Sequence, residues 1–232
     1  MNAMDALLMA VSYGNTPLFI QLLNQPENRS KLPSTILGHD CLNSAILNGH
    51  GEIVKILISL PLSEFDWTQV PLADHGALTY LSRAATFDQF EIFKTIVESG
   101  KANITERDQK GHTAFHYACA SGCLSIVEFL LQQEGVNPNE RSNMGRTPLL
   151  LAAMEGSEPV TRRLMGINGV DPDARDQEGK TPFYWALVYG HNAVAGILVS
   201  SGRVNRGIMA RALQDRLAAQ QSEPTFTWHV LE

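Results

Sequence analysis

The chain has 232 residues, 44% of them hydrophobic, with 18 Lys and Arg against 24 Asp and Glu. The formal charge of −6 disfavours a nucleic-acid backbone or an anionic membrane as the main partner, because both need clustered cations. Three cysteines are an odd number without framework spacing, which predicts a reducing compartment: the cytoplasm, with the nucleus as the alternative.

A repeat with a period of 34 residues runs through the chain. Gly111, Gly145 and Gly179 recur at that spacing, and a threonine, an alanine and a second glycine recur with them. Strict self-similarity of this kind is typical of a solenoid, in which each unit stacks on its neighbours. We therefore predict one all-α domain over 1–221, built from about six helix-turn-helix units. The predicted units are 4–34, 35–73, 74–107, 108–141, 142–175 and 176–206.

The N-terminal unit is a degraded copy. Asp5 to Gly14 and Pro17 to Leu23 give two short helical segments without the Thr-Pro pair that starts later units. A terminal cap should look like this because its outer face meets water rather than another repeat. The segment has no basic start and only a short apolar run, so neither a signal peptide nor a membrane anchor is predicted.

The second and third units keep the frame with substitutions. Asp40 is the expected N-cap of the second unit's first helix, and the link from Ser59 to Asp74 is longer than elsewhere. In the third unit Thr79 stands 34 residues before Thr113, and Asp88 replaces the glycine that closes the first helix in other units. Both units are therefore predicted to form helix pairs.

The last three units carry the pattern most fully. In the fifth unit Thr147 is a predicted N-cap, and Pro148 occupies the first helical position, where a missing N–H costs nothing. Ala152 is small because the first helices of neighbouring units must approach closely, and Gly156 ends the helix in a conformation that a side chain would oppose. A second helix with apolar residues at helical spacing, such as Leu130 in the fourth unit, completes each unit.

The repeat pattern stops after 206. Apolar residues at helical spacing predict a capping helix over 207–221. The tail 222–232 alternates in strand fashion from Thr225 to Val230 and carries two large aromatic side chains, without an evident strand partner. Its Leu-Glu end matches a cloning scar.

The three strong copies resemble the ankyrin repeat, whose hallmark is Gly-x-Thr-Pro-Leu-His-x-Ala-Ala-x-x-Gly. They read Gly111-His-Thr-Ala-Phe-His-Tyr-Ala-Cys-Ala-Ser-Gly122, Gly145-Arg-Thr-Pro-Leu-Leu-Leu-Ala-Ala-Met-Glu-Gly156 and Gly179-Lys-Thr-Pro-Phe-Tyr-Trp-Ala-Leu-Val-Tyr-Gly190. The resemblance covers residues 4 to about 206. It implies an ankyrin-repeat solenoid with terminal capping helices that binds a protein or peptide partner, and we expect a monomer.

The search for catalytic or metal-binding residues finds candidates that each have a structural explanation. Gly179-Lys180-Thr181 resembles the end of a phosphate-binding loop, but the upstream glycine is missing and the Lys-Thr pair opens a helix. His112, His116, Cys119 and Cys123 are dense enough to suggest zinc, yet each occupies a regular position of the repeat. No catalytic residue, metal or cofactor is therefore predicted.

A partner-binding set follows from the resemblance, because ankyrin arrays usually meet their partner on the concave side. That side is formed by the hairpin tips and by the residues before the glycine that closes the first helix. Within it, Leu47, Phe87, Met154 and Tyr189 would be apolar anchors, or they would pack on a neighbouring unit. The full set is His39, Leu47, Asn48, His75, Leu78, Phe87, Lys110, His112, Arg146, Met154, Glu155, Lys180 and Tyr189.

Two function classes remain open at this point. The first is a non-enzymatic scaffold or adaptor that holds a partner segment in the concave groove. The second is a small-molecule-binding protein or enzyme that uses the same groove, with His39, Asp74, His75, Trp185 and Tyr189 as acid, base or stacking groups. A closed, mostly apolar pocket with convergent His and Asp would favour the second, and an open shallow groove the first.

Overall fold

The structure is a computed structural model that describes residues 3–29, 36–60 and 78–222. Within these ranges every regular element is a helix, so the predicted all-α class is confirmed. In chain order the helices are α1 Ala3–Ser12, α2 Thr16–Leu23, α3 Pro26–Arg29, α4 Ile36–Leu47, α5 Gly51–Ser59, α6 Tyr80–Thr86, α7 Phe90–Glu98, α8 Ala114–Ala120, α9 Leu124–Leu130, α10 Pro148–Met154, α11 Glu158–Met165, α12 Pro182–Val188, α13 Asn192–Ser200 and α14 Arg206–Ser222.

The helices stack in two layers. The first helices of successive units, α1, α4, α6, α8, α10 and α12, each pack on the next, and α14 continues this layer beyond α12. The second helices, α2, α5, α7, α9, α11 and α13, form the other layer in the same order. Because each helix packs mainly on its neighbours, the chain stacks as a solenoid. The hydrophobic core includes side chains of both layers, among them Leu42, Phe93, Leu130, Leu164 and Ala186.

Threonine caps start the first helices as the sequence predicts. The hydroxyl of Thr147 accepts a hydrogen bond from the backbone N–H of Leu150 at 3.3 Å, and Pro148 follows it at the first helical position. Thr79 caps α6 in the same way, accepting from the N–H of Ser82 at 3.0 Å. Each cap satisfies a donor that the helix itself leaves unpaired.

The glycine that closes the first helix is required by a close approach from the next unit. Gly156 has a φ of 75°, and a Cβ at this position would lie 2.4 Å from Nδ1 of His191. Nε2 of His191 donates to the carbonyl oxygen of Met154 at 2.9 Å. His50 bonds in the same way to the carbonyl oxygen of Ser12, at 3.2 Å. A side chain on the glycine would therefore break the contact between units.

The third unit replaces this glycine with aspartate. Asp88 has a φ of 50°, and within the described ranges it is the single non-glycine residue in the left-handed region. The next unit has Cys123 in place of the histidine, and its thiol donates to the carbonyl oxygen of Ala85 at 3.1 Å. A thiol is smaller than an imidazole and so leaves room for the Cβ of Asp88. Burial, with the nearby Asp88 carboxylate, raises the pKa of Cys123 to about 12.

The second unit departs from the prediction. Helix α4 begins at Ile36, so Asp40 lies inside the helix and is not its N-cap. His39, expected at a hairpin tip, also lies on this helix. The unit lacks the Gly-x-Thr sequence that places a turn before the later first helices, so the helix extends further toward the N-terminus. The link containing Asp74 and His75, and the tail from 223, lie outside the described residues.

The capping threonine and the core leucine should differ in their effect on stability. Thr147→Ala removes a helix cap and should cost about 1 kcal/mol. Leu130→Ala empties a fully buried site and should cost roughly 2–5 kcal/mol. Free energies of unfolding from urea titration measure both losses, and equal losses would contradict the assignment of cap and core.

The positive φ of Asp88 predicts a stabilising substitution. Asp88→Gly should raise the free energy of unfolding by about 1 kcal/mol, because glycine adopts this conformation without strain. The reverse change, Gly156→Asp, is the matched control and should be destabilising, since a Cβ there meets the His191 ring. A loss of stability in Asp88→Gly would show that interactions of the carboxylate outweigh the backbone strain.

Candidate functional site

The candidate site combines three hairpin tips with the adjoining surface of the first-helix layer. We call this surface the inner face; it comprises the tips 108–112, 142–146 and 176–180, the side of α6, α8, α10 and α12 away from the second helices, and the residues Phe87 and Tyr189 that follow α6 and α12. Each tip is closed by a backbone hydrogen bond, from Asp108 to His112 at 2.8 Å and from Ser142 to Arg146 at 3.0 Å. The third tip repeats this bond at 2.9 Å.

Successive tips are hydrogen-bonded to one another. The N–H of Asn143 donates to the carbonyl oxygen of Lys110 at 2.9 Å, and the N–H of Gln177 donates to that of Met144 at the same distance. The side-chain amide of Asn143 adds a bond to the carbonyl oxygen of Gln109, at 2.9 Å. The tips are therefore held in a fixed row before any partner arrives.

A buried carboxylate shapes the first of these tips. Oδ1 of Asp108 accepts from the backbone N–H groups of Lys110 and His112, each at 2.8 Å. Oδ2 accepts from the hydroxyl of Tyr117 at 2.5 Å. Burial and this hydrogen bond raise the pKa of Tyr117. Both carboxylate oxygens are thus occupied within the tip and its following helix.

The third tip repeats the arrangement, whereas the middle one does not. Asp176 accepts from two backbone N–H groups of its tip, at 3.0 and 2.8 Å, and from Nε1 of Trp185 at 2.7 Å. The middle unit has Ser142 and Leu151 at the corresponding positions. The hydroxyl of Ser142 accepts from the N–H of Arg146 at 3.2 Å. The middle tip therefore lacks the buried negative charge of its neighbours.

His116 is a neutral structural histidine. Its Nδ1 accepts from the N–H of Thr113 at 3.1 Å, so Nε2 carries the proton. Nε2 donates to the carbonyl oxygens of Glu140 and Arg146 in the next unit, at 3.1 and 3.2 Å. Burial, followed by the proximity of His112, lowers the pKa of His116 to about 4.

His112 lies near two cations on the inner face, Lys110 and Arg146. Its ring packs edge-on against Tyr117 at 5.5 Å, and Nδ1 is 3.9 Å from Oδ2 of Asp108, too far for a hydrogen bond. Burial lowers the pKa of His112; Asp108 opposes this shift, while Lys110 and Arg146 add to it. We call Lys110, His112 and Arg146 the tip corner.

A second hydrophobic cluster lies on the inner face, separate from the main core. Leu150, Leu151 and Met154 are buried together, and Ala120 and Trp185 from the neighbouring units pack on them. We call these five residues the apolar floor. Met154 is 9% exposed, so the expectation of a solvent-facing anchor at this position is wrong. The alternative holds here, because side chains of both neighbouring units cover the methionine.

Two of the expected anchors are exposed. Phe87 is 49% exposed and Tyr189 is 52% exposed. The Tyr189 ring stacks on that of Trp185, with centroids 5.6 Å apart and an angle of 18° between the planes. Leu47 is half-buried. The exposed aromatic groups thus lie at the closing ends of α6 and α12.

The remaining predicted residues have different surroundings. Nζ of Lys180 pairs with Oδ2 of Asp215 on α14 at 2.8 Å, and Glu155 is exposed. The side chain of Asn48 donates to a carbonyl oxygen of its own helix at 2.8 Å. Nδ1 of His39 is hydrogen-bonded to the hydroxyl of Tyr80. Leu78 is half-buried, and His75 is outside the described residues.

The tip corner contains the predicted residues that the structure brings together most clearly. His39 and Asn48 lie two units earlier in the stack and do not join it. Sequence reasoning missed the buried pairs that fix the tips, Asp108 with Tyr117 and Asp176 with Trp185. A signal was present, since an aspartate is followed nine residues later by a ring that carries a donor, in two units that are two repeat periods apart.

Several cavities lie on the described surface. One of about 570 Å³ lies on the second-helix layer between α9 and α11, lined in part by Glu128 and Arg162. Others of about 220 and 130 Å³ lie beside Arg107 and beneath Lys180. None of these three is lined by both a histidine and an aspartate.

Comparison with known proteins gives two findings. The family model described as ankyrin repeats matches the chain in three copies, at residues 7–108, 67–142 and 134–208. Alpha-latrotoxin-Lg1a from Latrodectus geometricus is 28% identical over 135 residues, which are 55% of this chain and 9% of that protein. The chain therefore spans less than a tenth of this relative. In the described ranges no helix is both long enough and apolar enough to cross a membrane.

The buried neutral His116 predicts a pH dependence of stability. Its folded-state pKa lies below the unfolded value, so the stability it contributes is present above pH 6.5 and lost as pH falls toward about 4. The loss should amount to roughly 3 kcal/mol across this window. Free energies of unfolding should therefore fall more steeply with acidification in the unmodified protein than in His116→Gln. Equal pH slopes would contradict the assignment of a neutral buried imidazole.

Proposed function

The chain belongs to the ankyrin-repeat family, and from that premise we propose that it is a non-enzymatic scaffold or adaptor that holds a partner segment on its inner face. Ankyrin repeats are generally protein–protein interaction modules. The observation that carries the proposal is the exposed ring of Tyr189, which stacks on the partly exposed Trp185 where Trp185 packs on the apolar floor. Phe87 and Tyr189 add exposed aromatic surface to the same face.

The energetics of association favour such a surface. Large apolar side chains contribute most when they become fully buried, and anchors of this kind typically cost about 2 kcal/mol or more each when truncated. The hydrogen bonds between tips fix the row beforehand, which reduces the ordering cost of binding. The inner face therefore combines anchors with a preorganised backbone.

The cysteines support the compartment that the proposal needs. Cys41, Cys119 and Cys123 are buried and unbridged, as expected of a protein in a reducing compartment such as the cytoplasm or nucleus. The alternative of an enzyme or small-molecule binder is not favoured by a comparable observation within the described ranges. His39, offered for acid–base chemistry, is hydrogen-bonded to Tyr80.

Truncation of the two exposed aromatics should separate binding from stability. The double change Phe87→Ala and Tyr189→Ala should weaken capture of partners from native cell extract and lower their affinity at least tenfold, since each ring is an anchor. The free energy of unfolding should change little, because exposed substitutions usually stay within about 0.5 kcal/mol.

The matched control is Val199→Ala, which truncates an exposed apolar side chain on α13 in the second-helix layer. Quantitative mass spectrometry of the captured proteins, followed by affinity measurement on the purified partner, gives the comparison. If the double variant and the control retain the same partners equally well, the assignment of the inner face as the binding surface is wrong.

A further inference from the structure

The tip corner contains buried polar atoms without partners. Nε of Arg146 and both ring nitrogens of His112 are buried, and no atom in the described part of the chain hydrogen-bonds to them. An unsatisfied buried polar group costs about 1–3 kcal/mol. Such groups are rare in native proteins, and a bound acceptor is one way to satisfy them.

The tip corner is also positively charged. Arg146 carries a permanent charge, and the ammonium of the exposed Lys110 adds a second. The nearby carboxylate of Asp108 already accepts from two N–H groups and from Tyr117. The middle tip has Ser142 in place of a carboxylate. This cationic corner therefore stands out in a chain whose formal charge is −6.

The last tip indicates which group satisfies a cation at this position. Lys180 follows Arg146 by one period of 34 residues, as Arg146 follows His112. In the last unit α14 covers the tip, and Asp215 of that helix pairs with Lys180 at 2.8 Å. The covering group is thus a carboxylate. His112 and Arg146 hold the same place in their tips without a side-chain acceptor in the described ranges.

The apolar floor begins one helical turn beyond Arg146, on α10. A ligand that is only anionic would leave the partly exposed Trp185 of this floor and the exposed ring of Tyr189 uncovered. A nucleic-acid backbone gains its affinity from many cations rather than two. A peptide with carboxylates beside apolar side chains would fit both parts of the surface.

We propose that the partner segment is an extended acidic peptide whose carboxylates bind the tip corner while its apolar side chains pack on Trp185, the partly exposed aromatic side chain of the apolar floor, and on the exposed ring of Tyr189. This rests on the function proposed above and specifies the chemistry of the partner. A carboxylate accepts from the guanidinium of Arg146, and charge-assisted bonds of this kind are the stronger class. Apolar groups at alternate positions of the peptide reach Trp185 and Tyr189, whose rings stack on each other.

A random dodecapeptide library displayed on phage and panned on the whole chain tests the proposal. Selected sequences should combine Asp or Glu with large apolar residues. A synthetic peptide of the selected sequence, followed by fluorescence anisotropy, should bind Arg146→Gln about tenfold more weakly, because a charged hydrogen bond is lost. Its affinity should also fall as the salt concentration rises.

Two variants make the measurement specific. Arg162→Gln removes the same charge from an exposed position on α11 and should leave peptide affinity within about twofold, as a surface change far from the site. Lys110→Gln alters an exposed side chain and should weaken binding without affecting the fold. If circular dichroism shows that Arg146→Gln does not fold, Lys110→Gln serves as the test variant in its place.

Each other outcome has a defined meaning. Selected peptides without acidic residues, insensitive to Arg146→Gln but lost in the Phe87→Ala and Tyr189→Ala double variant, would overturn the acidic partner and leave the proposed function standing. Peptides insensitive to all of these changes would overturn both. Tighter, Arg146-dependent binding of an oligothymidylate than of any selected peptide would identify a nucleic acid and overturn the proposal.

Discussion

Side chains of one unit form hydrogen bonds to the backbone of its neighbour, and the rest of the structure depends on these bonds. His191 reaches back to the carbonyl oxygen of Met154, and His116 reaches forward to that of Arg146. Each bond satisfies a polar group that a single unit would leave buried and unpaired. The units therefore stack in one register, and the tips form a row whose geometry does not depend on a partner.

Much of the fold was predictable because the repeat period determines which residues of successive units occupy equivalent positions. The Thr-Pro start, the small alanine and the closing glycine each have a local physical reason, and Thr147 and Gly156 behave as those reasons require. The second unit was predicted less well because it lacks the Gly-x-Thr turn. Without this local signal, the start of α4 depends on the tertiary context, which periodicity does not reveal.

The candidate site was predicted less completely than the fold. Exposure at an inner-face position depends on the size of side chains in both neighbouring units, so Met154 is covered by Trp185 and Ala120 while Phe87 and Tyr189 remain exposed. The charge of each tip likewise depends on its buried first residue. Aspartate at 108 and 176 and serine at 142 give successive tips different electrostatics on one backbone geometry.

The central claim is that a partner segment occupies the inner face of a preformed stack. Hydrogen–deuterium exchange of the chain, with and without a saturating bound segment, tests it most directly. Slower exchange should concentrate in the tips 108–112 and 142–146 and in α8, α10 and α12, with the second helices α9, α11 and α13 little changed. Protection confined to the second helices or to α14 would contradict the account.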